Sequence, residues 1–299
     1  MASAFDNPAI LRGLADKFPF GFYVVDPQRT ILYWNEAAER ITGYRAQDMV
    51  GRSCADDLLV HCGPVGSALC ATGGCPFTFT LRDGKPTEEH LYLRHKEGQR
   101  IPVRILALPM LDVHGTIIAI AELFVQENSS PEGLCWITQT SSQLDTQLGI
   151  PSVLATHEQL QLSLSQATER LGVFLIEVEH LHNMRMNRGV ELAQTALRAS
   201  VQTVRGVLTV PHYLGCWTEN RLLLLVPNCD TEFAEQLPEK LHCLAHTCGL
   251  TWWGDRVNLE VKVRSTFAHE RDSIDALMAR LEPQHGDDDR PGESRGCSS

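Results

Sequence analysis

Basic charge is in short supply: 26 Lys and Arg stand against 37 Asp and Glu, a formal net charge of -11. A sequence-independent grip on nucleic acid needs clustered cations that displace phosphate counterions, so nucleic acid is not an expected partner. Long apolar runs are missing as well. A stretch such as Leu222 to Val226 is far too short to span a bilayer. Met1 to Asp16 has no basic segment followed by an extended apolar one, so no secretory leader is read there. The expectation is a cytoplasmic protein with no membrane partner. With 43% hydrophobic, 21% charged and 7% aromatic residues, the composition excludes wholesale disorder and fibrous repeats. Evenly spread cysteines are also lacking. Ten cysteines in a reducing compartment do not make a disulfide framework, and four of them, Cys54, Cys62, Cys70 and Cys75, crowd into one segment.

The chain has 299 residues. Single cores usually stop growing below that length, so two domains of about 100–150 residues each are expected. Phe20 to Asp26 and Thr30 to Asn35 are rich in aromatic and β-branched residues and are joined by Asp26-Pro27-Gln28-Arg29, a hairpin pattern. Asn35 is placed to cap a helix over Glu36 to Tyr44, with Gly43 at its exit. A Gly- and Cys-rich loop, Gly51 to Pro76, follows. Three further strands are read at Glu89 to His95, Arg100 to Leu111 and Thr116 to Gln126, joined by turns at Lys96–Gln99 and Asp112–Gly115.

This order resembles the PAS domain, and the segment GFYVVDPQRTILYWNEAAERITGYRAQDMVGRSC carries the resemblance with Asn35 at the strand-to-helix junction and Thr42-Gly43-Tyr44 at the helix exit. LYLRHKEGQRIPVRI and DVHGTIIAIAELF are similar to the family's last three strands. The resemblance implies a five-stranded antiparallel sheet with helices. It implies either a ligand- or cofactor-sensing cavity or a dimerisation module, and fold alone does not choose between them. Ahead of the first strand, Pro8 to Phe18 puts Ile10, Leu11 and Leu14 on one helical face, which a homodimer would bury.

The expected organisation is an N-terminal helix (1–18), a PAS domain (19–126), a linker (127–144), a second domain (145–282) and a disordered tail (283–299) that includes Asp287 to Asp289. In the second half, helix patterns at His157 to Leu171, Val190 to Val204 and Phe233 to Cys248 alternate with strands at Val173 to Val178, Arg221 to Val226 and Leu259 to Phe267. That alternation argues for a sheet domain covered by helices, so the whole chain is of α+β class.

Asp145-Thr146-Gln147-Leu148-Gly149-Ile150-Pro151, the strand ending Glu177-Val178-Glu179, Gly189, Leu197, Trp217 to Leu222 and Trp252 to Asp255 resemble, in order and spacing, the diguanylate cyclase (GGDEF) family. The resemblance implies a nucleotide-cyclase-like fold and two metal ions that neutralise a triphosphate, held by carboxylates on adjacent strands. Here the first carboxylate position is Glu177, and the acidic pair of the signature turn is replaced by Asn220 and Arg221. Its glycines become Thr218 and Glu219, while the positions that contact guanine and phosphate align with Arg185, Gln194 and His182. The window of the family's inhibitory product site reads Thr209-Val210-Pro211-His212, without the required guanidinium or carboxylate. A catalytically inactive domain is therefore expected, with output by protein–protein contact in bacterial cyclic-di-GMP signalling. The alternatives are an active diguanylate cyclase and a nucleotide receptor without turnover.

Several groups admit more than one role. Glu177 with Glu179, and His180 with His182, are either residual metal ligands or solvated surface groups, the latter preferred. Arg221 either binds phosphate or is simply exposed. Trp252 and Trp253 are read as one packed inward and one at an interface. Cys243 and Cys248 are read as buried small hydrophobes. The loop with Cys54, Cys62, Cys70, Cys75 and His61 either fills space or holds zinc, an iron–sulfur cluster or a redox centre. Its spacing matches no standard signature. Its glycines and few large apolar side chains make ordering costly, which a thiolate cross-link would offset. PAS domains joined to cyclases often have a similar pattern, here Cys54, Cys70 and Cys75, with Cys62 or His61 as the fourth ligand and His95 as a lesser candidate.

Overall fold

The computed structural model describes residues 8–56, 58–127, 144–166, 170–209 and 211–282. The chain forms two compact units that divide between Glu127 and Asn128. Residues 128–143 of the linker expected at 127–144, and the tail expected at 283–299, lie outside the described residues, as does the start of the N-terminal segment. Among the described residues no helix is long and apolar enough to cross a membrane.

The first unit runs α1 (Pro8–Ala15), β1 (Gly21–Val25), β2 (Ile31–Trp34), α2 (Glu36–Thr42), α3 (Ala46–Met49), α4 (Leu69–Thr72), α5 (Pro76–Asp83), β3 (Thr87–Arg94), β4 (Arg100–Leu111) and β5 (Ile117–Gln126). Its sheet has the order β2-β1-β5-β4-β3, antiparallel throughout. The β1–β2 hairpin is closed by the Asp26 carboxylate, which accepts from the backbone N–H of Gln28 (2.9 Å) and Thr30 (2.8 Å), the local bond that suits Asp to turns. Asp112 does the same for His114 and Thr116, both at 2.8 Å.

Asn35 does more than cap. Fully buried, its Oδ1 accepts from the N–H of Ala38 (2.8 Å) and Phe22 (2.9 Å), and its Nδ2 donates to the carbonyls of Ala15 (3.0 Å) and Phe20 (3.1 Å). One amide thus satisfies all its bonding capacity while starting α2 and fixing the entry into β1. Gly43 ends α2 at φ +76°, a left-handed conformation open to glycine at no steric cost.

The second unit runs α6 (Val153–Gln166), β6 (Gly172–Val178), α7 (Leu181–Arg188), α8 (Val190–Val207), β7 (Tyr213–Cys216), β8 (Arg221–Val226), α9 (Thr231–Thr247), β9 (Gly249–Trp252), β10 (Asp255–Asn258), β11 (Val261–Phe267) and α10 (Ile274–Leu281). Its main sheet has the order β11-β6-β8-β7, again antiparallel, and β9 with β10 forms a separate hairpin. The unbroken apolar runs of β6 and β8 follow from cover on both faces. Phe174, Ile176, Leu222 and Leu224 join one core with α8 and α9, whereas Val173, Leu175, Leu223 and Leu225 join another with α6 and α10.

The α+β class and the five-stranded sheet agree with expectation. The extent of the cysteine-rich loop does not. Its end carries α4 and the start of α5, with Pro76 at the first helical position, where a missing N–H costs nothing. The loop also buries apolar surface and pairs its backbone: Leu59 is fully buried, and Cys62 exchanges N–H···O bonds of 2.9 and 2.8 Å with Tyr92. The helices α7 and α10 and the short strands β7, β9 and β10 were not among the expected elements.

Candidate functional site

The interior of the first unit holds a polar cluster. His61 is 2% exposed, and neither ring nitrogen has a hydrogen-bond partner. Two buried guanidinium groups hold the backbone leading to it. Arg94 Nε donates to the Leu58 carbonyl at 3.0 Å and Arg100 Nη1 to the Val60 carbonyl at 2.5 Å. Val60 has φ +38°, a strained conformation for a β-branched residue. The backbone N–H of His61 donates to Cys70 Sγ at 3.3 Å, and Cys75 Sγ pairs with the Thr78 hydroxyl at 3.2 Å.

Cys70, Cys75 and the His61 ring are neighbours, close enough to influence one another's ionisation without the imidazole entering hydrogen-bond geometry. The adjacent Cys75 and the N–H of His61 push the Cys70 thiol below its ordinary range, against burial. The neighbouring Cys70 sulfur and burial both push the Cys75 thiol up. Cys54 is buried, which raises its thiol, and lies within electrostatic reach of Cys70 and Cys75. Cys62, fully buried, turns its thiol to the Val60 carbonyl at 3.6 Å. His95 stands apart: its Nδ1 accepts from the N–H of Glu97 at 3.1 Å, closing the β3–β4 turn, and its ring lies against Gly43.

Glu122 completes the cluster, and the sequence reading missed it. It is fully buried on β5, hydrogen-bonded to the Tyr23 hydroxyl through one oxygen and without a partner at Oε1. Burial raises its carboxyl above the ordinary range, opposed by nearby His61 and the Tyr23 bond. The signal that finds it is strand parity. Glu122 shares the core face with Ile120 and Phe124, since alternate residues of a strand point the same way.

In the second unit Glu177 sits opposite Arg221 in the β6–β8 register. Its Oε1 lies 3.5 Å from Arg221 Nη2 and 3.4 Å from Asn220 Nδ2, and its Oε2 lies 3.5 Å from Arg264 Nη1. The carboxylate is thus clamped between two cations, each side chain of the trio being about a quarter exposed, at 21%, 26% and 22% for Glu177, Arg221 and Arg264. Arg221 is therefore paired rather than simply exposed. Arg185 forms an ion pair at 2.5 Å with Glu219, tying α7 to the turn before β8. His212 packs its ring against Phe233 and is pushed toward the neutral form by burial.

Among the described residues the trio whose ligand atoms all lie within 4.8 Å of one another is Glu179, His180 and Glu260. His180 Nε2 is 3.2 Å from Glu260 Oε2, both being largely exposed, so the trio reads as a surface ion pair. His182 is exposed. Cys243 and Cys248 are buried, Trp252 packs on the core, and Trp253 is 93% exposed.

No protein of curated function matches the chain in sequence. Solved structures similar to it include the GGDEF domain of DgcB from Caulobacter crescentus in complex with c-di-GMP, at 11% identity and TM-score 0.45, covering 48% of this chain and 85% of that one. Diguanylate cyclase SiaD in complex with its activator SiaC, from Pseudomonas aeruginosa, is similar at 15% identity and TM-score 0.46, covering 50% of this chain and 59% of SiaD. The PAS domain of a protein from Colwellia psychrerythraea is similar at 16% identity and TM-score 0.34, covering 40% of this chain and 99% of that one. The sequence model of the PAS domain family matches residues 19–128, the segment folded as the sheet β2-β1-β5-β4-β3 with its helices, and residues 19–128 are accordingly a PAS domain.

Proposed function

We propose that this chain is a cytoplasmic signalling protein in which the PAS domain senses a ligand, metal or redox state and a GGDEF-type domain without cyclase activity passes the signal on by protein–protein contact, within cyclic-di-GMP signalling. The proposed division is 1–18, 19–126, 127–144, 145–282 and 283–299. The observation that carries the reading is the clamp on Glu177. A carboxylate that must hold Mg²⁺ has to face other oxygen ligands, whereas Glu177 faces Arg221 and Arg264. A divalent cation placed there would meet two guanidinium groups that cannot lose their charge. The ion pair of Arg185 with Glu219 further sets a carboxylate where the family's glycines let phosphate approach.

Purified chain incubated with GTP and Mg²⁺ is expected to form no cyclic-di-GMP, and calorimetric titration with GTP is expected to show no micromolar binding. Product above a heat-treated control overturns the reading in favour of an active cyclase. Tight GTP binding without product overturns it in favour of a nucleotide receptor.

The PAS half is proposed to form a homodimer through α1. Ile10, Leu11 and Leu14 are about half exposed there, and a short helix gains most of its stability by burying such a face. Deleting residues 1–18 is expected to halve the mass measured by light scattering. A monomeric mass both before and after deletion sinks the dimer.

A further inference from the structure

We propose that the groove between α7 and the β9–β10 hairpin takes an extended, acidic segment of a partner protein, anchored on Trp253. The inference rests on the proposed output by protein–protein contact and names the surface that makes it.

Trp253 and Gly254 form the two-residue turn of that hairpin, between the paired residues Trp252 and Asp255, with φ of +52° and +90°. A turn with positive φ at both positions favours Asn-Gly or Gly-Gly, residues that tolerate the left-handed region. A bulky aromatic residue held in that conformation is strained. Packing does not compensate, because Trp253 is 93% exposed whereas its neighbour Trp252 packs on the core. The fold therefore gives no reason for tryptophan at this place. Binding does, since tryptophan is enriched among the few residues that carry most of the energy of a protein interface.

The surface beside it is shaped for a chain. Asn183 and Asn187, one helical turn apart on α7, stand with Arg188 across from Arg256 and Asn258 of β10, in a groove of about 300 Å³ that Met184 also lines. Arg188 lines a second hollow as well, of about 240 Å³, which ends at Trp252 and Trp253, so the two run on as one track. The three side-chain amides each offer donors and an acceptor, which matches the alternating groups of an extended backbone. The charge matches an acidic occupant. Helix α7 carries His182, Arg185 and Arg188 and no carboxylate, although the chain as a whole has a net charge of -11. The track adds Arg256 and holds one carboxylate, that of Asp255, 3.5 Å from Arg188.

Other occupants fit less well. A small-molecule site buries most of its ligand, but Asn183, Asn187, Arg188 and Asn258 are all exposed, which leaves the groove open along its length. A nucleic acid needs many phosphates neutralised, and two arginines beside one carboxylate do not supply that.

The test pans the full chain against random dodecapeptides displayed on phage, and the selected peptides are then synthesised with a fluorophore. They are expected to be rich in Asp and Glu around an apolar residue and to bind with micromolar Kd by fluorescence polarisation. Trp253→Ala should weaken binding at least tenfold. Arg188→Glu combined with Arg256→Glu should do the same, and should favour peptides in which Lys replaces the acidic residues. Trp253→Asn separates binding from folding: it relieves the strained turn, so its melting temperature should equal or exceed that of wild type while binding falls at least tenfold. The proposal is overturned if panning yields no peptide of micromolar affinity, or peptides without an acidic excess. It is also overturned if Trp253→Asn binds as wild type does, or if it melts well below wild type, which would assign Trp253 to the fold. Self-association of the wild type that Trp253→Asn abolishes overturns it in favour of a second copy of this chain. Formation of cyclic-di-GMP from GTP is measured without peptide, so the inactive-domain reading and this surface fail separately.

Discussion

Gly215→Val is expected to unfold the second domain at temperatures where the PAS domain is still folded. Gly215 lies in β7, and a Cβ there would overlap the Thr156 hydroxyl and come within 3.2 Å of Thr156 Cβ and 3.0 Å of the Tyr213 ring. None of these can move cheaply. Thr156 is fully buried on α6, and its hydroxyl is bound to the Ser152 carbonyl at 2.8 Å. The helix would have to lift from the sheet, which opens the core formed by Leu160, Tyr213, Leu223 and Leu277. Overpacking of this kind costs about 1–3 kcal/mol, occasionally more, and valine adds two methyl groups to the overlap. Calorimetry should show the two domains of the wild type and the loss or large downward shift of one transition in the variant. A second experiment fixes the cause: Gly215→Ala should be rescued in part by Thr156→Ala, which removes the overlapping oxygen but keeps the Cβ. If Gly215→Val melts as wild type does, the packing of α6 on β7 is wrong.

The second large effect concerns Glu177, where the sign matters more than the size. If Glu177 stands between Arg221 and Arg264 as found, Glu177→Ala leaves two partly buried guanidinium groups without their shared counter-charge. Breaking a fully buried pair costs about 3–5 kcal/mol and an exposed one less than about 1. With side chains about a quarter exposed and contacts of 3.5 Å, a loss of about 1–3 kcal/mol is expected. The melting temperature should fall by about 3–10 °C. A metal-ligand carboxylate predicts the opposite in metal-free buffer, because removing one negative charge from an acidic cluster relieves repulsion. Thermal melts of wild type, Glu177→Ala and Glu177→Gln in EDTA decide the matter. A melting temperature equal to or above wild type for Glu177→Ala would falsify the clamp.

Much of this was legible in the chain because it depends on local chemistry. Turn residues, the Asn35 cap and the period-two pattern of β4 act over a few residues, so they appear in any short window. The cysteine-rich loop was harder. Its glycines suggest a segment that cannot order itself, but its order comes from pairing with Tyr92 and from two arginines more than thirty residues downstream, Arg94 and Arg100. The short strands β7, β9 and β10, each of four residues, were missed because four residues hold too little periodicity to separate strand from loop.

The sequence by itself determined which residue types are present where chemistry is possible: four cysteines and a histidine in one loop, Glu177 on an apolar strand, and Asn220-Arg221 at the start of β8. Tertiary structure decided their partners. Register across β6, β8 and β11 brings Arg221 and Arg264 onto one carboxylate, and residues 44 and 87 positions apart in sequence have no local signal of that meeting. Strand order places β5 beside β1, so that Glu122 reaches Tyr23 across 99 residues and turns a lone acid in an apolar run into part of a buried cluster. Local propensities act along the chain, whereas burial and charge pairing act across it, and the second set of forces buries His61 and leaves His95 in the β3–β4 turn.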